Sequence, residues 1–442
     1  MSRRRKKFSK PNATVEIETL SHDGRGIARV EGKTVFVSRA LPGETVEISY
    51  TLSKKNFDEA NVVKVIVASE KRATPPCDSF DQCGGCSVQH ISPQDQIEMK
   101  QNHLMDLLKN IGKTKPDSIL PPLQAETSGY RRKARLGVRF VEKKEKVLVG
   151  FRERNGRYLA DIDSCKVLVP QVGERIKELG DLIHTLEAYN TIAQIEVAAG
   201  DEEIALVFRN LKELSDSDRE KLCAFGKQYD FQIWLQPKGP DTVHNIFPGG
   251  VEYLHYAVPE FETRYEFRPI DFTQVNAGIN QKMIARAVSL LELNEQDHVL
   301  DLFCGLGNFT LPLARCAKSV VGVEGDQGLV DLARKNGKQN NIDNVEFYFC
   351  NLFEDFSGLN WARERYNKIL IDPPRSGALE VAKNLKRLSP ERLVYISCDP
   401  ATLARDAEEI VHRQGYRLVQ AGVMDMFPHT THVESIAVFE RP

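Results

Sequence analysis

The stretch Val299-Leu-Asp-Leu-Phe-Cys-Gly-Leu-Gly-Asn-Phe-Thr310 constrains this chain more than any other. Val299 to Phe303 is an apolar run of buried-strand length, interrupted only by Asp301. Gly305 and Gly307 then break the run, and Phe309-Thr-Leu-Pro-Leu-Ala-Arg315 reads as the first turns of a helix. Strand, glycine turn and helix form the first unit of a nucleotide-binding α/β sheet. The glycines permit tight-turn angles and a close approach of ligand to backbone. A second apolar run, Ser319-Val-Val-Gly-Val-Glu324, ends in a carboxylate 23 residues after Asp301. At that spacing the carboxylate sits at the tip of the second strand, placed for ribose hydroxyls.

The loop is a poor dinucleotide site, because Gly305-x-Gly307-x-x-Thr310 lacks the third glycine. The cluster Asp301-x-Phe-Cys-Gly-x-Gly-Asn308 instead resembles the S-adenosylmethionine (SAM) loop of class I methyltransferases. Three further segments end at predicted strand C-termini, where open α/β sheets bind ligands. Val345-Glu-Phe-Tyr-Phe-Cys-Asn351 presents an amide suited to an adenine edge. In Ile369-Leu-Ile-Asp-Pro-Pro-Arg375 the two prolines force the chain out of the sheet and present Asp372 to the cleft. Leu393-Val-Tyr-Ile-Ser-Cys-Asp-Pro400 ends in the thiol of Cys398. Gln274 and its polar neighbours precede a helix expected over 277–293, close enough in sequence to reach the same ligand.

With 442 residues the chain has room for two or three domains. No apolar run approaches membrane-spanning length, and the basic N-terminus has no apolar segment behind it, so neither a membrane nor secretion is expected. The location expected is cytoplasmic. The net charge of −2 means that nucleic-acid binding must come from local patches. Of nine cysteines, Cys77, Cys83 and Cys86 lie within ten residues of one another. In a reducing compartment that spacing suggests a metal site more than disulfides. Three ligands leave a position open, and Cys165, in a polar turn beside a strand, is the expected fourth. Four thiolates suit an iron–sulfur cluster or zinc, and spacing does not separate them.

Residues 1–11 read as a basic tail, and 12–68 as five short strands of an OB-like barrel. His22-Asp-Gly-Arg-Gly-Ile-Ala28, Phe36-Val37 and Ala40-Leu-Pro-Gly-Glu44 resemble the TRAM domain of RNA-modifying proteins. Tyr130-Arg-Arg-Lys-Ala-Arg-Leu-Gly-Val-Arg-Phe140 combines five basic residues with flanking aromatics, a lining suited to single-stranded RNA. Residues 171–265 show strands but no specific chemistry.

A thiol at a strand tip beside a SAM loop narrows the reaction. Methyl transfer to oxygen or nitrogen needs no covalent step. Carbon 5 of a pyrimidine is a poor nucleophile until a thiolate adds at carbon 6, and a base must then remove the carbon-5 proton. Cys398 is the expected nucleophile, with Cys304 as its rival. Glu434 is the expected base, with His429 and His432 as rivals.

Asp-Pro-Pro-Arg-Ser-Gly (372–377), Tyr-Ile-Ser-Cys-Asp-Pro (395–400) and Phe-Pro-His-Thr-x-His-Val-Glu (427–434) together resemble the RNA uracil-5-methyltransferase family. The TRAM-like barrel and the cysteines narrow the resemblance to its 23S ribosomal RNA branch. It covers nearly the whole chain. It implies SAM contacts from Gln274, Phe303, Asn308, Glu324, Asn351 and Asp372, with Cys398 as nucleophile and Glu434 as base. It also implies a [4Fe–4S] cluster on Cys77, Cys83, Cys86 and Cys165. Asn351 departs from the family pattern, which carries Asp there, though an amide still bonds adenine. The fold expected is α/β: a barrel over 12–69, a β-rich cluster-bearing domain over 70–265 and a Rossmann-like SAM-dependent domain over 266–442. The function expected is carbon-5 methylation of one uridine in 23S rRNA by a monomer. The competing readings are a zinc-stabilised RNA-binding protein without catalysis, and the same chemistry on another rRNA uridine or on tRNA.

Overall fold

The computed structural model describes residues 10–154 and 156–442, so the basic tail lies outside the described residues as far as position 9. The chain divides into two compact units. The first comprises 1–80, 85–99 and 428–431, and the second 81–84, 100–427 and 432–442.

In the first unit, β1 (Ala13–Glu16), β2 (Thr19–Leu20), β3 (Gly26–Val30), β4 (Lys33–Ser38), β5 (Thr45–Ser53) and β6 (Phe57–Val67) form one sheet in the order β1-β5-β6-β4-β3-β2. Period-2 alternation turns Val15, Val35, Val37, Val46, Ile48 and Ala60 into one core. The sheet has six strands where five were expected, because Ile17 turns aside between β1 and β2 to exchange backbone hydrogen bonds with Gly43 and Glu44. Two fully buried carboxylates tie the sheet together. Glu44 accepts from the Leu41 and Ser69 N–H groups and from the Arg72 guanidinium. Asp58 accepts from Ser53 Oγ and from the ammonium groups of Lys33 and Lys10. Lys10 also lies 4.1 Å over the Tyr50 ring, so this residue of the basic tail is anchored on the sheet.

In the second unit, β7 (Ser118–Ile119) joins a large sheet, whereas β8 (Lys133–Val141), β9 (Lys146–Gly150), β10 (Ile192–Ala199), β11 (Ile204–Asn210), β12 (Gln232–Leu235) and β13 (His244–Phe247) build a sheet of their own. Its order is β13-β12-β11-β10-β8-β9. The hairpin of β14 (Leu254–Val258) and β15 (Thr263–Phe267) buries Leu254, Tyr265 and Phe267 in the same core as the large sheet. That sheet adds β16 (His298–Leu302), β17 (Ser319–Glu324), β18 (Val345–Phe349), β19 (Lys368–Ile371), β20 (Arg392–Ser397), β21 (Arg417–Met424) and β22 (Glu434–Glu440). The order is β18-β17-β16-β19-β20-β22-β21-β7. From β16 to β20 neighbours run parallel, and β22 is antiparallel to β20 and β21. The chain winds outward from β16 to β18, then returns past β16 to β19. That reversal is the topological switch point, where such sheets open a crevice at their C-terminal edge. No helix among the described residues is long and apolar enough to cross a membrane.

Candidate active site

A cavity of about 510 Å³ opens at the switch point. Gln274, Phe303, Asn308, Glu324, Asn351, Asp372, Cys398 and Glu434 all line it.

The glycine loop forms one wall. β16 ends at Leu302, and Phe303 takes a left-handed φ of 64°, unusual for a bulky side chain. Its N–H and that of Cys304 both donate to Val323 O, which fixes the turn. Gly307 has φ 94°, an angle glycine adopts without strain. Gly322 allows the layers to close: a Cβ there would lie 2.7 Å from Phe347 and 3.0 Å from Cys304 Sγ. The Glu324 carboxylate accepts from the N–H groups of Gly305, Gly325 and Asp326 and is thereby aimed at the loop. Asn351 is engaged locally: its Oδ1 accepts from Phe353 N–H, and its Nδ2 donates to Glu354.

Asn308 is held by residues that pattern reading passed over. Its Oδ1 accepts from the Tyr256 hydroxyl at 2.8 Å and from Asn280 Nδ2 at 3.1 Å. Its Nδ2 donates to Asn280 Oδ1 at 2.9 Å, which leaves one N–H to offer. Tyr256 stacks on Tyr265 with ring centroids 4.7 Å apart and itself lines the cavity. Residues 171–265, featureless as sequence, thus contribute a side chain to the site. A tyrosine in a short hairpin carries no local signal for such a contact.

The opposite wall comes from β20 and β22. Their ladder ends with Ser397 opposite Ser435, so Cys398 and Glu434 are the next residues across. Ser435 Oγ donates to Ser397 O, and Asp399 caps the following helix through Ala401 and Thr402 N–H, which fixes the tip. Glu434 is 3 % exposed, and burial followed by the Asp372 charge holds its carboxyl well above the usual range. Burial raises Asp372 to about 7. Burial, then Glu434 and Asp372, pushes the Cys398 thiol up to about 11, with Arg375 opposing. At neutral pH a thiol raised this far is almost wholly protonated, so Cys398 rests as a thiol. Cys304, the rival, is more deeply buried, and burial with Asp301 raises it well above the usual thiol value. His432 lines the cavity, kept neutral by burial and by the neighbouring cations Arg375, Lys100 and Arg131. His429 belongs to the first unit, where its N–H donates to Gln96 Oε1.

The four cysteines of the expected cluster are all half-buried. Cys83 and Cys165 belong to the second unit and pack against one apolar core, while Cys77 and Cys86 belong to the first. Their donor chemistry suits a sulfur-ligated metal centre. Among the described residues, however, no three Cys, His, Asp or Glu side chains are gathered as a metal site.

Residues 93–441 match the family model described as tRNA (Uracil-5-)-methyltransferase, and residues 12–63 match the TRAM domain. The 23S rRNA (uracil(1939)-C(5))-methyltransferase RlmD of Francisella tularensis subsp. novicida is 53% identical, with 100% of this chain and 99% of that protein covered. The protein of the same description from Legionella pneumophila strain Corby is 50% identical, with 98% of each covered. The crystal structure of Pyrococcus abyssi tRNA (uracil-54, C5)-methyltransferase in complex with S-adenosyl-L-homocysteine superposes with a TM-score of 0.72 at 24% identity, covering 97% of this chain and 100% of that one. The α/β fold is therefore that of a SAM-dependent methyltransferase preceded by a TRAM domain. Matched over most of its length by the family model and at half of its residues by full-length enzymes, the chain belongs to the tRNA (Uracil-5-)-methyltransferase family, alongside that family's 23S rRNA members.

Proposed function

We propose that this enzyme methylates carbon 5 of a uridine in 23S rRNA, the uracil-1939 position named for its relatives. The observation that carries the reading is the β20–β22 register, which sets Cys398 beside Glu434 in the cavity that holds the glycine loop. Gln274, Phe303, Asn308, Glu324, Asn351 and Asp372 would hold SAM, with Glu324 at the ribose and Asn351 at the adenine edge. Bound SAM supplies the methyl group and a sulfonium charge. With Arg375, a positive charge in this cleft favours the ionised forms of Cys398 and Glu434.

Cys398 then adds to uracil carbon 6, and the electron pair displaced to carbon 5 takes the methyl group. Glu434, once ionised, removes the carbon-5 proton, the double bond re-forms and the sulfur leaves. Its raised pKa makes Glu434 a stronger base than an ordinary carboxylate. The thiol proton needs a second acceptor, and in this reading that is His432, whose imidazole lines the same cavity. The target base must leave its stack to reach a thiol inside a cavity.

The TRAM domain over 12–69 would bind RNA, the region 70–265 would carry the cluster, and 266–442 would perform the chemistry. Cys77, Cys83, Cys86 and Cys165 would hold a [4Fe–4S] cluster in a structural role, which iron and sulfide content of the purified protein tests. The enzyme works as a cytoplasmic monomer in this reading.

Tritium release from carbon 5 of labelled uridine tests the reaction, with 23S fragments and tRNA offered separately to wild type and Cys398→Ala. Release from 23S fragments, abolished in the variant, is expected. Release from tRNA alone overturns the substrate, and no release from either overturns the covalent reaction.

A further inference from the structure

The five basic residues of Tyr130–Phe140 do not act alike. Arg132 pairs with Asp201 at 2.5 Å, and Lys133 and Arg135 each lie 3.4 Å from Glu196. Arg131 donates to its own strand, at Lys133 O, and faces the Phe151 ring. Carboxylates therefore absorb most of the charge that made this segment look like an RNA lining. Arg139 differs: among the described residues no carboxylate pairs with it.

Arg139 lines a second cavity, of about 810 Å³, between the β8–β9 hairpin and the loop that follows β9. Lys143, Arg152 and Arg157 line it as well, exposed and likewise without an ion pair among the described residues. Lys144 is taken by Asp161. Two carboxylates, Glu142 and Glu153, stand against four available cations, so the groove is positive on a chain whose net charge is −2. Leu148 and Leu159 give it an apolar floor. Gly137 allows that floor to close, since a Cβ there would come within 2.7 Å of Leu159. Tyr158, 75 % exposed, stands at the side with its ring uncovered. Its lining is dominated by cations and apolar side chains, a composition suited to binding an anion.

We infer that this groove holds a single-stranded stretch of the RNA substrate away from the target uridine, with phosphates on Arg139, Lys143, Arg152 and Arg157 and a base stacked on Tyr158. The inference rests on the reading that RNA is the substrate. Guanidinium forks match phosphate oxygens, and an uncovered aromatic ring beside them is what unpaired bases stack on. An acidic peptide would use the cations and leave the ring idle.

The test is the affinity of a 23S rRNA fragment containing the target uridine, measured by fluorescence anisotropy over a range of salt. The substituted residues are exposed, and S-adenosylhomocysteine affinity checks that each variant folds. The triple variant Arg139→Gln/Lys143→Gln/Arg157→Gln is expected to raise Kd at least about tenfold at moderate salt. It should also flatten the slope of log affinity against log salt by about 2, since each phosphate contact on a single strand contributes about 0.7. Tyr158→Ala should weaken binding by about tenfold with the slope unchanged. Wild-type Kd and slope in the triple variant overturn the assignment. Full affinity in Tyr158→Ala overturns its single-stranded part. Wild-type protein that binds the fragment without methylating it overturns the functional reading and leaves this one standing.

Discussion

Glu44 in the first unit and Glu434 in the second are both almost wholly buried, yet their surroundings push them in opposite directions. For Glu44, burial alone would raise the carboxyl, but the Arg72 guanidinium and the N–H groups of Leu41 and Ser69 outweigh it and hold it low. Asp58 behaves the same way, held low by Lys33, Ser53 and Lys10 against its burial. Around the catalytic cleft the balance is reversed. Glu434, Asp372 and Asp301 are raised by burial, with neighbouring carboxylates adding to the effect on Glu434 and Asp301. Burial therefore does not tell a structural carboxylate from a functional one; the supply of cations and donors does. In the barrel pair cations and donors outweigh burial, whereas at Glu434, Asp372 and Asp301 burial outweighs them, so an arriving cation would change their state.

The largest effect should come from the cleft. Cys398→Ala should abolish turnover, and Glu434→Gln should lower it by about 10²–10⁴. The second variant should also accumulate a protein–RNA adduct that survives denaturing electrophoresis, because the carbon-5 proton has nowhere to go. Glu434→Gln with wild-type turnover would put the base elsewhere. Next comes the paired side of the contrast. Glu44→Ala leaves Arg72 with no carboxylate and should cost about 3–5 kcal/mol in urea unfolding. A pKa held low means that the Glu44 contribution is present above the ordinary carboxylate pKa and lost as pH falls toward the folded value. Loss of the Glu44 effect at neutral pH but not in acid would break the comparison.

Asp301 supplies the opposite sign at smaller scale. Burial raises it to about 8, while the Thr310 hydroxyl donates to it from one side. The folded protein therefore loses stability as pH rises from the ordinary value of 3.8 toward 8. Asp301→Asn should remove that slope, and its advantage over wild type should grow with pH by at most about 1.4 kcal/mol per pH unit, read as melting temperature against pH. The smallest effect is at Tyr256→Phe, which removes one of the two donors to Asn308 Oδ1. One hydrogen bond of about 1 kcal/mol predicts roughly fivefold weaker S-adenosylhomocysteine binding by calorimetry. Unchanged affinity would show that Asn280 alone sets the amide.

The parts of the site legible in the sequence are those whose signal is local. The glycine loop, the Asp372-Pro-Pro turn and the strand-end thiol each announce a backbone event within a few residues. The meeting of Cys398 with Glu434 is a register, fixed by pairing strands 36 residues apart, and no local pattern encodes it. The Tyr256–Asn308 contact spans 52 residues and is equally silent. Charge misled for the same reason: Arg132, Lys133 and Arg135 read as free cations until folding brings Asp201 and Glu196 against them. Lys10 read as part of a basic tail until Asp58 claimed it. Local chemistry can be read from a chain, while the partner that neutralises or aims it comes from the topology.

The segment 428–431 belongs to the first unit although it lies near the end of the chain. Within that unit the His429 carbonyl accepts from the N–H groups of Ser87 and Val88, and Gln96 bonds the His429 backbone. During synthesis the N-terminal sheet emerges early, but the piece that completes its unit emerges about 360 residues later, at about 5–20 residues per second. The first unit therefore spends most of translation incomplete, and Glu434 leaves the ribosome only after that missing piece. A chain truncated before Pro428 would lack both Glu434 and the closure of its own N-terminal unit, so one late truncation takes a residue from the cleft and leaves the first unit unfinished.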